Sequence, residues 1–437
     1  MADTNPQPQG GGAGSDGDFR KYLPDITSPR FTTMRAQSAT EYAQAFIEGG
    51  NPPWLHALYR HWLELYKEPF KGITNDGVVR PNLYPLQDHG LPTGEMLAAA
   101  RALLDLLTPE ERARVAYHVD APEWRTWSNP EFLLSPKGLR LDEVKPEVRD
   151  ACMRVLRALL SPEGYEKARA AMRINGFLGE LCDVGRVVGE WSYNFVLFGE
   201  PGEGRMWGVS FYGHHLCLNL FVGNGGRQVV VAPCFTGAEP NCVDAGPGRG
   251  TRILVGEERL GAELMAGLAE GEQKTALLWK GLKDEGMPKG RWNHDDQRHL
   301  CGAYRDNRVV PYEGLCVGEM DERGRGLVER ILGEFMVYLP ERAREAWLGL
   351  CREWFRETYF CWIGGWGDGD AFYYRIQSPV VVVEFDHHSG VFLTNEEPAR
   401  FHIHTLMRAP NGGDYGMALR GLGEGVVKQE FVWEGGK

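Results

Sequence analysis

The sequence predicts an α+β protein: a helical N-terminal region, then a mainly antiparallel sheet split in sequence by inserted helices. Three observations predict it. Capped segments with helical apolar spacing dominate the first 185 or so residues. From Tyr193 the period changes to two, with glycine turns between short β-rich segments. Helical patterning then returns before the last strands, so strands and helices do not alternate one by one as in a βαβ series.

Each element follows from local chemistry. Residues 1–30 are rich in Gly, Pro, Ser and Asp and predict a disordered tail. In SATEYAQAFIEGG, Ser38 is the N-cap, Glu41 closes a capping box and Gly49 supplies the stop. LTPEERARVAYH repeats the device with Thr108, Pro109 at the first helical position and Glu111. KPEVRDACMRVLRALL and SPEGYEKARAAMRINGFLGEL carry further helices. Between Tyr193 and Val231 the segments YNFVLFG, RMWGVSFYG, HHLCLNLFV and RQVVVAP read as strands, and Asn-Gly-Gly in VGNGGRQ is a hairpin signal. Helices are expected again across 256–283 and 322–358, and strands at FYYRIQ, PVVVVEF and RFHIHTLM. The expected organisation is a tail at 1–30, a helical region at 31–185, a sheet domain at 186–425 that carries the site, and a C-terminal tail at 426–437.

Composition narrows the function classes. With 437 residues, 43% of them hydrophobic, and 13 Trp, the chain buries a large core. Net charge is −12 and the basic residues are scattered, which argues against a nucleic-acid partner. The nine cysteines are odd in number and contain no CxxC, so reduced thiols are expected rather than a disulfide framework. MADTNPQPQGGGAGSDGD has no apolar run of the secretory kind, and PVVVVEF is too short to span a bilayer. The expectation is a soluble cytoplasmic protein with a small-molecule partner and no membrane partner; no feature of the chain sets an oligomeric state.

The chemistry concentrates in histidines and carboxylates. Six of the twelve histidines come as pairs: His214–His215, His387–His388, and His402 with His404. Side chains alternate faces along a strand, so His402 and His404 share one face. Glu384 and Asp386 in PVVVVEFD also share a face, and the chain between the two segments is long enough to return antiparallel. His214 and His215 are neighbours and are expected on opposite faces, so one of them joins the cluster. Imidazole with carboxylate suits zinc, iron(II), manganese or copper(II). His387 and His388 are expected in a turn. The stretch WNHDDQRHL, holding His294, Asp295 and His299, is expected to be polar surface. There is no GxSxG elbow and no GxxxxGK[ST] loop, and GPGRG and ERGRG lack the strand-to-helix context of dinucleotide binding.

The blocks WRTW, YNFVLFGEP, WGVSFYGHHLCLN, PCFTGAEP, GPGRGTRILVGEE, FYYRIQSPVVVVEFD, HIHTLMR and GGDYG follow one another in this order. Together they resemble domain-of-unknown-function family 3500, found in bacteria and fungi, over roughly Phe70 to Gly421. The resemblance implies weight for His214 and His215, for Glu384 and Asp386, and for His402 and His404. It matches Arg408, Asp414, Tyr415 and Gly416 to the block after HIH, and leaves His387 and His388 outside the pattern.

The functional expectation is a metal-dependent enzyme acting on a small organic molecule by oxidative or hydrolytic chemistry. The ion is held by His402, His404, His214 or His215, and Glu384. Asp386 is a further ligand or general base, and Arg408 and Arg375 clamp an anionic group; Asn219, on the His215 side of its strand, is a substrate contact. The alternatives are a metal-free binding or scaffold module and a metal-independent His–Asp hydrolase or lyase.

Overall fold

The computed structural model describes residues 18–420. Both predicted capping boxes form: Glu41 N–H donates to Ser38 Oγ at 3.2 Å while Ser38 N–H donates to Glu41 Oε2 at 2.7 Å, and Thr108 and Glu111 repeat the exchange. Each such cap is worth about 1 kcal/mol. The first box opens the helix Ala39–Gly49, which ends with Gly50 in the left-handed region at φ 63.

Twelve strands make one sheet: β1 (Ala116–Tyr117), β2 (Leu139–Arg140), β3 (Tyr193–Gly199), β4 (Trp207–Gly213), β5 (Leu216–Gly223), β6 (Gln228–Ala238), β7 (Leu277–Trp279), β8 (Leu315–Cys316), β9 (Tyr359–Gly364), β10 (Phe372–Gln377), β11 (Val382–His388) and β12 (Ala399–Arg408). Their order is β1-β3-β4-β5-β6-β12-β11-β10-β9-β7, with β2 also beside β3 and β8 beside β9. All pairs are antiparallel except β1–β3 and β7–β9. The sheet therefore joins two runs of hairpins, β3 to β6 and β9 to β12, at the β6–β12 pair. That long-range pairing leaves only β6 between the hairpin carrying His214 and His215 and the strand carrying His402 and His404.

Period-two alternation sorts the residues. On one face Leu216, Leu218 and Leu220 of β5, Phe385 of β11 and Ile403 of β12 join the helices in the main core, which draws from both the N-terminal helical region and the sheet. On the other face Cys217, Phe235, Val382 and Leu406 pack with Trp62, Trp124, Trp127 and Tyr304. His402 and His404 of β12 stand on this second face.

Residues 18–30 are ordered, against the tail expected there. Asp18–Tyr22 forms a 3₁₀ turn whose Phe19 is buried against Phe177, Tyr22 O accepts from Thr394 N–H at 2.8 Å, and the helix Pro29–Ala36 follows. Burying Phe19 and seating Phe31 and Met34 against the helix Pro162–Leu181 offset the ordering cost that its Gly/Pro/Ser composition suggested. The rest of the predicted N-terminal tail and the predicted tail at 426–437 lie outside the described residues. Among the described residues no helix is long and apolar enough to cross a membrane.

Candidate metal centre

Three imidazoles converge on the second face. His404 Nε2 lies 3.1 Å from His215 Nε2 and 3.1 Å from His402 Nε2. Ring centroids are 5.4 Å apart for His215 and His402, 5.1 Å for His215 and His404, and 4.9 Å for His402 and His404. Nitrogens bound to zinc at roughly 2.0–2.1 Å stand about 3.3 Å apart at tetrahedral angles and about 2.9 Å apart at right angles. The observed separations fall between those limits.

The backbone explains the convergence. His214 and His215 are not strand residues but the two-residue loop between β4 and β5, where Gly213 pairs with Leu216. His215 sits there at φ 63, an uncommon conformation for a residue with a Cβ. This overturns the expectation that the two rings face opposite sides. They stack at 3.9 Å with 25° between planes, His215 reaching the cluster and His214 lying behind it with Nδ1 2.8 Å from Asn175 Oδ1. Gly237 of β6 provides the clearance: a Cβ there would stand 2.9 Å from His215 Cδ2 and 3.0 Å from His404 Cδ2.

The protonation pattern suits a cation. Burial pushes the pKa of His215 and His404 well below the usual imidazole value, and neighbouring imidazoles push the same way. Burial, with the charges of His402 and Arg30, takes His214 down to about 3. His402 Nδ1 is 2.8 Å from Ser389 O, a carbonyl that can only accept, so Nδ1 carries the proton and Nε2 presents a lone pair. The loop bearing Ser389 is itself held by Glu239, whose carboxylate accepts from the N–H groups of Val391, Phe392 and Leu393. One ring nitrogen offers a single lone pair or a single N–H, so His404 Nε2 cannot satisfy both of its 3.1 Å contacts by hydrogen bonding.

The carboxylates stand on the same face but reach other partners. Glu384 accepts from Leu300 N–H at 2.8 Å, Cys301 N–H at 2.9 Å and Tyr373 O–H at 2.7 Å, and is not among the converging ligands. Burial raises its pKa, but His299, Arg375 and these hydrogen bonds outweigh it and hold the carboxyl below the usual value. Asp386 pairs with Arg298 at 2.6 Å and accepts from the Arg298 N–H at 3.2 Å, so it is no ligand either; as a free general base it is engaged by a guanidinium.

Arg408 is closed off as a substrate clamp. It donates to Asp306 Oδ1, Asp414 Oδ2, Cys301 O and Gly302 O, fully buried. Asn219 is spent within the sheet, accepting from Ser210 O–H at 2.8 Å and donating to Pro233 O at 3.0 Å, at a β5–β6 irregularity. Arg375 is paired with Glu313 at 2.8 Å through Nη2, with its Nη1 unbonded.

Two histidines set aside in the sequence belong beside the triad. A register shift between His387 and His388 keeps His388 on the cluster face, its ring 3.8 Å from His404 and its Nε2 3.2 Å from Asp386 Oδ2, outside hydrogen-bonding alignment. His387, on the opposite face, pairs with Glu258 at 3.0 Å. His299, from the stretch expected at the surface, is 1% exposed with Nε2 unbonded, its ring 6.3 Å from His404 and 6.1 Å from His388. The available signal for His388 was period two continued past Asp386; for His299 there was none, because a loop places it. A cavity of about 20 Å³ beneath the 128–135 loop reaches the back of the cluster at His214.

The fold and site define an α+β protein with a buried cluster of three imidazoles in the middle of a twelve-stranded sheet. The chain belongs to the family described as Protein of unknown function (DUF3500), whose family model matches residues 89–417. No curated protein and no solved structure matches it.

Proposed function

We propose that the chain is a metal-dependent enzyme acting on a small organic molecule, with His215, His402 and His404 holding one divalent ion of zinc, iron(II), manganese or copper. The observation that carries this reading is the meeting of three Nε2 atoms in a buried site, two of their separations being 3.1 Å. Three protein ligands also leave a position open, as catalytic sites require. A bound ion of this kind supplies either a polarised water for hydrolysis or oxygen activation.

The chain's own residues do the rest. Ser389 O fixes the His402 tautomer so that its lone pair faces the other two rings. His388 and His299 offer unbonded ring nitrogens on the same face, suited to taking or giving a proton at a ligand. Asp386 is held by Arg298, with its Oδ2 3.2 Å from His388 Nε2. The approach of His388 Nε2 to within 3.2 Å of Asp386 Oδ2 also favours a second reading, a metal-independent acid–base enzyme. Nine cysteines, eight of them buried and no two in a CxxC, suit a reducing compartment, and we take the cytoplasm as the place of action.

Elemental analysis of untagged protein tests the leading reading. It predicts about one transition metal ion per chain, lost in His402→Ala and His404→Ala variants that still fold. Folded variants that keep a full complement of metal refute the ligand set, and the second reading is left if wild type carries none.

A further inference from the structure

Two arginines on the cluster face are buried with guanidinium nitrogens that nothing among the described residues satisfies. Arg291 is 5% exposed and has Nε and Nη2 unbonded. Its one side-chain hydrogen bond among the described residues runs from Nη1 to Arg298 O at 2.7 Å, and none of their carboxylates lies within ion-pair distance. Arg375 is 1% exposed and has Nη1 unbonded. A buried cation without a counter-charge is among the costliest features a fold can carry, and unsatisfied donors add to the cost.

The two are neighbours through Tyr373. Arg291 Cζ lies over the Tyr373 ring at 5.0 Å and over Trp279 at 5.5 Å, which holds the planar group by its faces and leaves its edge donors for an acceptor. Arg375 is two residues beyond Tyr373 on β10 and shares its face. Glu313 engages only Nη2 of Arg375, and the Glu384 carboxylate is committed to Leu300, Cys301 and Tyr373. The loop 283–290, which leads into Arg291, is largely exposed.

We propose that Arg291 and Arg375 form a binding site for the oxyanion group of a small molecule, a carboxylate, sulfate or phosphate. Tyr373, Asp386 and His404 stand in lateral register across β10, β11 and β12, so the Tyr373 corner lies about 10 Å from His404 at roughly 4.8 Å per strand. His299 bridges the gap, its ring 6.3 Å from Tyr373 and 6.3 Å from His404. A molecule of modest length anchored at the arginines thus reaches the three imidazoles. The anion site stands on the arginines alone; its assignment to the substrate rests on the metal-centre reading.

The test is isothermal titration of metal-free, full-length protein with succinate and, separately, with sulfate. Saturable binding of at least one is expected, weakened tenfold or more in Arg291→Met and less in Arg291→Lys, which keeps the charge but not the planar fork. Tighter succinate names a carboxylate ligand; tighter sulfate names a tetrahedral oxyanion. Should Arg291→Met fail to fold, anomalous diffraction from selenate-soaked wild-type crystals replaces it, with a peak expected between Arg291 and Arg375. No saturable binding of either anion, an unchanged Kd in a folded Arg291→Met, or selenate found only elsewhere overturns the proposal. Because metal is absent throughout, failure here leaves the metal centre untouched, and a failed metal centre leaves the anion site standing.

Discussion

Gly237→Ala is the sharpest perturbation of the cluster, because it adds one methyl group and removes no ligand. The new Cβ would stand 2.9 Å from His215 Cδ2, 3.0 Å from His404 Cδ2 and 3.1 Å from Ile403 O. Carbon atoms rest at roughly 3.5–4.0 Å, so each ring must retreat by about half an ångström. Overpacking of this degree costs about 1–3 kcal/mol. If the rings stay in place, the cost falls on the stability of the metal-free protein. If they swing apart, it appears as weaker metal binding, about fivefold to about 150-fold at 1.4 kcal/mol per tenfold. Competition against a chromophoric chelator measures the affinity, and urea unfolding of the metal-free variant measures the stability. The two losses together should reach at least about 1 kcal/mol. A variant that equals wild type in both measurements would show that the rings are not packed as described and refute the reasoning.

Other outcomes follow from the same contacts. Glu384→Gln should leave metal content unchanged while costing about 1–3 kcal/mol of stability, since an amide NH₂ replaces an acceptor facing the Leu300 or Cys301 N–H; loss of metal would restore Glu384 as a ligand. Asp306→Asn should cost about 3–5 kcal/mol in urea unfolding, because Arg125 loses its buried counter-charge and Arg408 keeps only Asp414 of its two. Burial raises the Asp306 pKa, but Arg408 and Arg125 outweigh it and hold the value below the ordinary one. That stability is fully present above the unfolded value near pH 4 and is lost as pH falls through the folded value, so the variant should lack this part of the wild-type acid sensitivity. Removing metal with a chelator should lower thermal stability and restoring it at 100 times Kd should return about 2.7 kcal/mol; identical melting with and without added metal would count against a site in the folded state.

Much of the fold was legible because its signals are local. The Ser38–Glu41 and Thr108–Glu111 boxes form as read, the strands from Tyr193 follow their alternation, and β11 and β12 pair antiparallel with His404 opposite Asp386. The common face of His402 and His404 follows from period two alone, but the β6–β12 pairing that brings His215 to them is a contact between distant segments that no local pattern encodes. The split of His214 from His215 depends on one backbone angle, φ 63 in a two-residue loop, which strand reasoning cannot supply. Sharing a face also proved weaker than touching. Glu384 and Asp386 lie on the cluster face, yet loop 298–301 meets them first with its own N–H groups and the Arg298 guanidinium. The same loop carries His299 inward from a stretch whose polarity reads as surface.

The central claim is that His215, His402 and His404 bind one metal ion through their Nε2 atoms. Anomalous diffraction at the metal's absorption edge, from crystals of untagged protein, tests it most directly. The account predicts one strong peak per chain, roughly 2.0–2.1 Å from each of the three Nε2 atoms if the ion is zinc. No peak in crystals supplied with zinc, iron(II), manganese or copper, or a peak bound to other side chains, would contradict it.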